Sequence, residues 1–528
     1  MSEPSSMPPT ADPIDRPPRG GISRRGVLRS AAAVPAVATA TGLALAPSPA
    51  EALPLLLTPP DTVDFYDIGD AIVQTSAPTM PLVKLTLGSD GVYVFELPRL
   101  EQGTGIGTAL AMMIAEEAGV TLDKVKVVSA DAQPELLFNQ LTGGSSTIRS
   151  FEPFIKLLVT QARLQAGLLP QAPAPSHPAQ YRIIGKATRK LDALDIVTGR
   201  KKFTMDIDVP GAMPTMCRMP SQIRGRVVSV NNRDAVLAMP GVVAVEIIPG
   251  GGAVVGIPPG VAVMAHTFGE AWDACRALDI TWGDGPNKGL SDASIQARLR
   301  AALPPLLPAP PGMLSIDGEF EFPAASHAPL EVECAIVDVK PGRCEIWAGL
   351  QTPIVALQAI AIDLGLPQSA VKAHVIPSGG AFGRRLFWDP VQVAAQISKR
   401  TGRPCKLMYH RSDDVRHTRS RPPQVHRVRA VLLPNTLLGP GNVLSYQQNI
   451  GLVRLDARHG FGEISTALAG SLPLGVQQTV GNLGYEQFFF KTMVASPYNF
   501  GVSSKQIFPV AIDLPTVSYR SVHIMPAR

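Results

Sequence analysis

Three stretches of this chain combine residue types and spacings that could hold a ligand. In PSGGAFGRRLFWDP, residues 377–390, Gly379, Gly380 and Gly383 share one turn with an arginine pair, Arg384 and Arg385. Glycine lacks the Cβ that keeps a ligand off the main chain, so such a turn can press backbone N–H groups against an anion or a cofactor. In EQGTGIGT, residues 101–108, Gly103, Thr104 and Gly105 open a helix-periodic run, and in TGGSSTIRS, residues 142–150, Ser145 and Ser146 stand ahead of another. A glycine-rich helix start exposes unpaired N–H groups that suit an anion, and a plain packing turn has the same composition. Gln351 stands immediately before a fourth helical run. Hydrolase signatures are missing: the sequence holds no HExxH, no GxSxG and no P-loop, and its nine histidines show no ligand spacing.

The elements that must carry these loops are legible from periodicity. Residues 81–100 alternate around Ser89, Asp90 and Gly91 as a hairpin does, residues 103–120 change to helical spacing with Leu110, Met113, Ile114 and Glu117, and residues 123–131 return to strand alternation. A further helical run covers residues 151–167. Repeated prolines over residues 168–180 mark a linker. Beyond it, residues 232–239 can form a helix, and Thr267 with Glu270 has capping-box spacing. Thr352 as N-cap, Pro353 in the first turn and Gly365 as stop punctuate the helix after Gln351, and Asp389-Pro390 starts the next.

Composition bounds the class. A chain of 528 residues exceeds one ordinary core, and 45% hydrophobic with 17% charged residues reads as soluble and globular. Of the net charge of +5, residues 1–52 hold five Arg against four Asp/Glu, leaving about +4 on the rest. The densest basic stretch, residues 410–429, is interleaved with Asp413 and Asp414 and has no aromatic stacking residues, which argues against a nucleic-acid partner. Five cysteines, Cys217, Cys275, Cys334, Cys344 and Cys405, lie far apart with no CxxC pair, so an iron–sulfur cluster within this chain is not expected; they read as small buried hydrophobes. Near the start, Ser23, Arg24, Arg25, Leu28 and Arg29 precede a small-residue apolar stretch and an Ala50-Glu51-Ala52 cleavage pattern, which resembles a twin-arginine export signal and implies an extracytoplasmic, periplasmic destination. Residues 31–46 are short, Ala/Thr-rich and broken by Pro35, a poor membrane span.

Taken in order, HAPLEVE (327–333), WAGLQTP (347–353), GGAFGRR (379–385) and MYHRSDDVRHTRSRPP (408–423) resemble the molybdenum-cofactor-binding subunit of xanthine dehydrogenase/aldehyde oxidase-type hydroxylases. The branch that looks closest is the beta subunit of isoquinoline 1-oxidoreductase. RKLDALDIVTGRKKFTMDI, AMPGVVAVE and ALDITWGDGP look like that family's α/β hammerhead domain, and the EQGTGIGT helix start ahead of it fits the order of this branch. The resemblance implies an α+β, multidomain fold: an export signal over 1–52, a permuted N-terminal part of the molybdopterin-binding domain over 53–172, a linker over 173–180, a hammerhead-like domain over 181–285, a second linker over 286–325 and the remaining molybdopterin-binding domain over 326–528.

Carried over residue by residue, Gln351 matches the glutamine that hydrogen-bonds a molybdenum oxygen ligand, and Phe382 and Gly383 match the loop whose main chain approaches the metal centre. Gly379, Gly380 and Arg384 accompany them, with Gly103, Thr104, Gly105, Ser145 and Ser146 as the other cofactor-binding candidates. Read without the resemblance, Gln351 is a polar residue at a helix start, Phe382 a core aromatic, and Arg384 with Arg385 a solvated pair. Arg411, Asp414 and Arg421 fit a family segment as a structural or a catalytic set. The family has Gln where Thr104 stands. It also takes its glutamate base from a segment later than Arg528, so the chain is read as truncated and no catalytic residue is assigned. The implied cofactor is molybdopterin with molybdenum, the cytosine dinucleotide form included, and the implied reaction is hydroxylation of an aldehyde or N-heterocycle with water as oxygen donor. The implied partners are a separate [2Fe–2S] small subunit and a downstream electron acceptor. The alternative is a truncated, inactive chain that binds or assembles without turnover.

Overall fold

The computed structural model describes residues 68–170, 178–251, 257–417, 419–433, 443–454 and 500–516. The export segment, the middle of the proline-rich linker and residues 517–528, on which expectations were placed above, lie outside the described residues.

The first hairpin forms where expected. Strands β1 (Leu85–Leu87) and β2 (Tyr93–Leu97) pair antiparallel across a turn in which Gly91 takes φ +74°. The chain then crosses through helix α1 (Ile106–Ala118) to β3 (Val125–Ser129), which lies parallel to β2. A parallel neighbour requires such a crossover. Helix α2 (Ile155–Gln165) buries Ile155, Leu158, Val159 and Ala162, the i, i+3, i+4, i+7 stripe of an amphipathic helix. Phe95 of β2 meets Phe151 edge to face, with ring centroids 5.9 Å apart, in the centre of this layer. Glu116, next to the Glu117 of the helical spacing, is a buried carboxylate of α1. It accepts the backbone N–H groups of Arg182, Ile183 and Ile184 at 3.1, 2.6 and 3.1 Å, pinning the chain after the linker to this helix.

The next segment contributes β4 (Met213–Arg218), β5 (Arg226–Val230), β6 (Val242–Ile248), β7 (Gly260–Ala265), helix α3 (Phe268–Ala277) and β8 (Ile280–Gly283). Thr267 and Glu270 form the expected capping box: Glu270 N donates to Thr267 Oγ1 at 3.1 Å and Thr267 N to Glu270 Oε2 at 2.8 Å. After helix α4 (Asp292–Ala302) and β9 (Leu314–Phe322) follow β10 (Cys334–Lys340), β11 (Arg343–Ala348), helix α5 (Pro353–Leu364), β12 (Val371–Val375), helix α6 (Asp389–Thr401) and β13 (Cys405–Met408). One seven-stranded sheet, in the order β12-β11-β10-β13-β4-β7-β6, is built from both segments, joined where β13 runs parallel to β4 with Cys405 opposite Met213. Helices α5 and α6 cover it through Val355, Ala356, Ile360, Val391 and Ile397, over a fully buried Trp388. Gly365 at φ +70° ends α5 as expected, while the Thr352 hydroxyl donates to Leu386 O at 3.0 Å instead of capping its helix.

A four-stranded sheet, in the order β16-β15-β14-β9, consists of β9, β14 (Gln424–Leu432), β15 (Val443–Val453) and β16 (Val502–Val510). Helix α4 packs on it with Ile295 and Leu299, joined by Leu303 just after the helix end. The result is the mixed α+β architecture with several sheets that the sequence implied. Among the described residues no helix is long and apolar enough to cross a membrane.

The β3 layer is joined to the large sheet by a titratable clamp. Ala132 N donates to Ala373 O at 2.8 Å, and the neighbouring His374 ring lies between Asp131 Oδ1 at 2.8 Å and Glu345 Oε1 at 2.9 Å, stacked on Trp347. Lys372 adds a cation 3.5 Å from Asp131. The hydrogen bond that the Asp131 carboxylate accepts raises the His374 pKa, and the same bond holds the Asp131 carboxyl below its usual range. His374 therefore stabilises the joint fully below the ordinary histidine value of about 6.5, and that contribution fades as pH rises through the raised value. Asp131 contributes above the ordinary aspartate value of about 3.9 and loses its contribution in acid. His374→Gln is expected to cost about 1 kcal/mol or less, because the half-exposed Asp131 is screened by water, and the cost should be larger at about pH 5.5 than at about pH 8.5. Thermal melts of both proteins check this; an equal gap at the two pH values would sink the assignment.

Candidate functional site

The glycine–arginine loop leaves the end of β12 and is held from behind. Arg385, 1% exposed, donates from Nε to Gly380 O at 3.2 Å and from Nη2 to Glu331 Oε2 at 2.9 Å. Glu331 closes the clamp from the other side: its Oε2 accepts Gly379 N at 2.9 Å, and its own N donates to Gly379 O at 3.1 Å. Gly379 is required by this approach, since a Cβ there would stand 2.8 Å from Glu331 Cβ. Gly380 and Gly383 are required by conformation, at φ +104° and +88°. Phe382 also has a positive φ, +54°, and half its surface is exposed.

Arg384 turns inward. It is 2% exposed and makes a bidentate pair with Asp389, Nη1 to Oδ1 at 2.7 Å and Nη2 to Oδ2 at 2.8 Å, with Glu333 Oε2 3.9 Å away. Burial works against its charge, but the carboxylates of Asp389 and Glu333 outweigh it and keep the guanidinium ionised. Burial raises the Glu333 pKa, with Arg384 and Arg385 opposing. Neither arginine is a solvated residue. Arg411 likewise serves the framework, donating to Asp414 Oδ2 at 2.9 Å and to Pro329 O and Leu330 O at 2.7 and 2.8 Å. Arg421 meets the chain through its backbone, N donating to Ala325 O at 2.9 Å.

Gln351, 3% exposed, ties two of the three loops together. Its N donates to Arg385 O at 2.8 Å, its O accepts Thr142 N at 2.8 Å, and its Nε2 donates to Thr142 O at 2.7 Å. Its Oε1 is buried with no hydrogen-bond partner among the described residues. In the same loop Ser146 is buried, donating to Gly143 O at 2.8 Å and accepting from Arg99 Nη1 at 3.3 Å, while Ser145 is exposed at φ +50°. The helix start at 101–108 already holds an anion, its own. Glu101 accepts Gly103 N and Gly105 N on Oε1 at 2.9 and 3.0 Å and Gly107 N on Oε2 at 3.1 Å, with Gly103 and Gly105 at φ +91° and +78°. Thr104 is exposed beside it. The loop is stitched to the glycine–arginine loop by Ser378 N donating to Glu101 O at 3.0 Å.

These contacts bring two of the sequence-derived loops to one cavity of about 720 Å³. Glu101, Gln102 and Gly103 line it from one side, Pro377, Ser378, Gly379 and Gly380 from another, and Leu330, Glu331, Val332 and Cys334 form a third wall. The segment from Lys190 to Asp206 supplies the fourth, with Lys190 and Lys201 both paired to Asp192 at 2.5 and 3.2 Å. Of the cofactor-binding candidates, Gly103, Gly379 and Gly380 line the cavity; Thr104, Gly105, Ser145, Ser146, Gln351, Phe382, Gly383 and Arg384 do not. Sequence reasoning missed Glu331, which stood inside the HAPLEVE motif as a letter without a role, and the Lys190–Asp206 wall, whose motif RKLDALDIVTGRKKFTMDI points to a separate domain and not to the site. All five cysteines are free and buried, as expected of small hydrophobes, and burial pushes Cys275, Cys344 and Cys405 up to about 12, far from a reactive thiolate. Among the described residues no three His, Cys, Asp or Glu side chains gather into a metal site.

The geometry suits a group gripped by main chain. Gly103, Gly379 and Gly380, which carry no Cβ, face a cavity within the range of small-molecule sites, about 300–1,000 Å³, and behind it the buried Oε1 of Gln351, which ties the glycine–arginine loop to the 142–150 loop, has hydrogen-bonding capacity left over.

Residues 313–433 match the family model of the molybdopterin cofactor-binding domain. Over 416 residues the chain is 28% identical to the membrane-bound aldehyde dehydrogenase (pyrroloquinoline-quinone) of Gluconacetobacter polyoxogenes, covering 66% of this chain and 52% of that one. It is 24% identical over 460 residues to subunit beta of isoquinoline 1-oxidoreductase from Brevundimonas diminuta, covering 69% and 59%. The chain thus spans little more than half the length of these relatives. Among solved structures, the aldehyde oxidoreductase of Desulfovibrio gigas is similar at a TM-score of 0.42 and 16% identity, over 69% of this chain and 46% of that one.

Proposed function

We propose that the chain, whose residues 313–433 match the molybdopterin cofactor-binding domain, is the cofactor-binding subunit of a molybdenum hydroxylase of the xanthine dehydrogenase family. The substrate class is an aldehyde or an N-heterocyclic aromatic, with water as the oxygen donor. The observation that carries the reading is the cavity of about 720 Å³ where Gly103 of one loop meets Gly379 and Gly380 of another.

The residues present fit the cofactor. Gly103, Gly379 and Gly380, which carry no Cβ, would let it approach the main chain, with Thr104, Gly105, Phe382 and Gly383 on the loops that carry them and Gln351 behind the glycine–arginine loop, whereas Arg384 and Ser146 point into the framework and would not touch it. The arrangement asks for no protein metal ligands, because the pterin brings its own. When bound, the cofactor supplies a metal centre that takes two electrons from the substrate. The protein's part is positioning: Arg385 and Glu331 fix the loop on which Gly379 and Gly380 sit, and Leu330, Val332 and Met408 give the cavity an apolar lining. No base is assigned among the described residues. Electrons would leave through a separate [2Fe–2S] subunit to a downstream acceptor. The cofactor is proposed in molybdopterin or cytosine dinucleotide form, and export by the twin-arginine route to the periplasm accounts for the arginine pair at Arg24 and Arg25.

Protein purified from its native cells with any accompanying small subunit is expected to carry about one molybdenum and one pterin per chain. Metal analysis and fluorescence of the released pterin measure both. Molybdenum and pterin near zero would overturn the proposal and favour a non-catalytic assembly chain. Because one relative is named for pyrroloquinoline quinone, the same extract is assayed for it; stoichiometric quinone without pterin would also overturn it.

A further inference from the structure

The cavity's polar groups are mostly spoken for. Glu101 is consumed by three backbone N–H groups, and Lys190 and Lys201 share Asp192. Glu331 differs. Its Oε2 accepts both Gly379 N and Arg385 Nη2 at 2.9 Å, whereas among the described residues its Oε1 receives only the weak thiol donor of Cys334, at 3.6 Å. A carboxylate offers about four acceptor sites, so one oxygen of a charged, well-anchored group is left with capacity. Glu331 and Cys334 both line the cavity, and only 15% of the Glu331 side chain is exposed, which strengthens a hydrogen bond to it relative to one in open water.

We infer that Glu331 is a ligand-binding residue, its Oε1 accepting a ring or amino N–H of the heterocycle held in this cavity; this rests on the molybdopterin reading above. Pterin-type rings carry several adjacent N–H donors, the complement of a carboxylate edge. The two oxygens divide the work: one holds Gly379 and Arg385 in place, the other meets the ligand. Binding and loop position are thereby coupled through a single side chain.

The test compares the full chain, loaded in its native cells, as wild type, Glu331→Gln, Glu331→Asp and Arg385→Met, by release rate of bound pterin and by melting temperature. Charge-assisted hydrogen bonds are the strong ones, so Glu331→Gln should release pterin about tenfold faster or more, and Glu331→Asp, which keeps the charge but withdraws the oxygen, should be intermediate. Arg385→Met breaks the loop clamp while leaving the carboxylate, and should release more slowly than Glu331→Gln. Equal release from Arg385→Met and Glu331→Gln would make Glu331 a loop clamp only and overturn the inference, as would wild-type release from Glu331→Gln. If Glu331→Gln does not fold, Glu331→Asp decides: faster release at an unchanged melting temperature supports the assignment, and unchanged release overturns it. Wild type without pterin removes the molybdopterin reading itself, and this inference with it.

Discussion

Arg384→Ala is expected to cost about 3–5 kcal/mol of stability, the scale for breaking a buried ion pair from one side. Arg384 is 2% exposed and holds both oxygens of Asp389. Its removal leaves Asp389, Glu333 and Asp414 buried near one another, with Arg411 paired to Asp414 and Arg385 already committed to Glu331 and Gly380. The penalty is the desolvation of carboxylates that have lost their counter-charge, so it should shrink as pH falls and they protonate. Burial already raises Glu333 and Asp414, which places the onset of that recovery above the usual carboxylate range. Urea unfolding at about pH 5 and about pH 7.5 measures it; a loss under about 1 kcal/mol at the higher pH would mean that the pair contributes little beyond its desolvation.

Glu101→Ala is the second large effect, about 2–3 kcal/mol. One carboxylate satisfies three N–H groups at the start of α1, where a negative charge also meets the positive end of the helix dipole. Gly103 is exposed, so water repays part of the loss and keeps the cost below that of Arg384→Ala. The emptied nest should acquire what the native one lacks, affinity for a free anion. The expected result is a lowered melting temperature that sulfate restores more than chloride does at equal ionic strength, a difference absent from the wild type. A lowered melting temperature indifferent to the anion would show that the loop rearranges and the nest collapses.

Both predictions bear on how far residue types alone could be taken. The glycines at 103, 105, 379, 380 and 383 marked backbone that must bend or be approached closely, and four of them do take a positive φ, while Gly379 is closely approached. What presses on that backbone was not legible. The anion expected at the 101–108 helix start is the chain's own Glu101, two residues before Gly103, and the partner crowding Gly379 is Glu331, 48 residues away in sequence. The first contact is short-range but depends on a loop conformation, the second on two segments meeting across a fold.

The sequence by itself determined the local elements and the punctuation between them: the hairpin before α1, the Thr267–Glu270 capping box, the Gly365 stop, and the ordered motifs that resemble a molybdenum-cofactor-binding subunit. Each rests on neighbours a few residues apart, where periodicity and turn chemistry act directly. Only the tertiary structure decided that strands from 213–265 and 334–408 share one sheet, that Arg384 faces the core while Glu331 faces the cavity, and that Lys190 to Asp206 forms a wall of it. Strand order and the facing of a charged side chain are set by burial and by long-range pairing, and neither leaves a periodic mark on the residues that carry it.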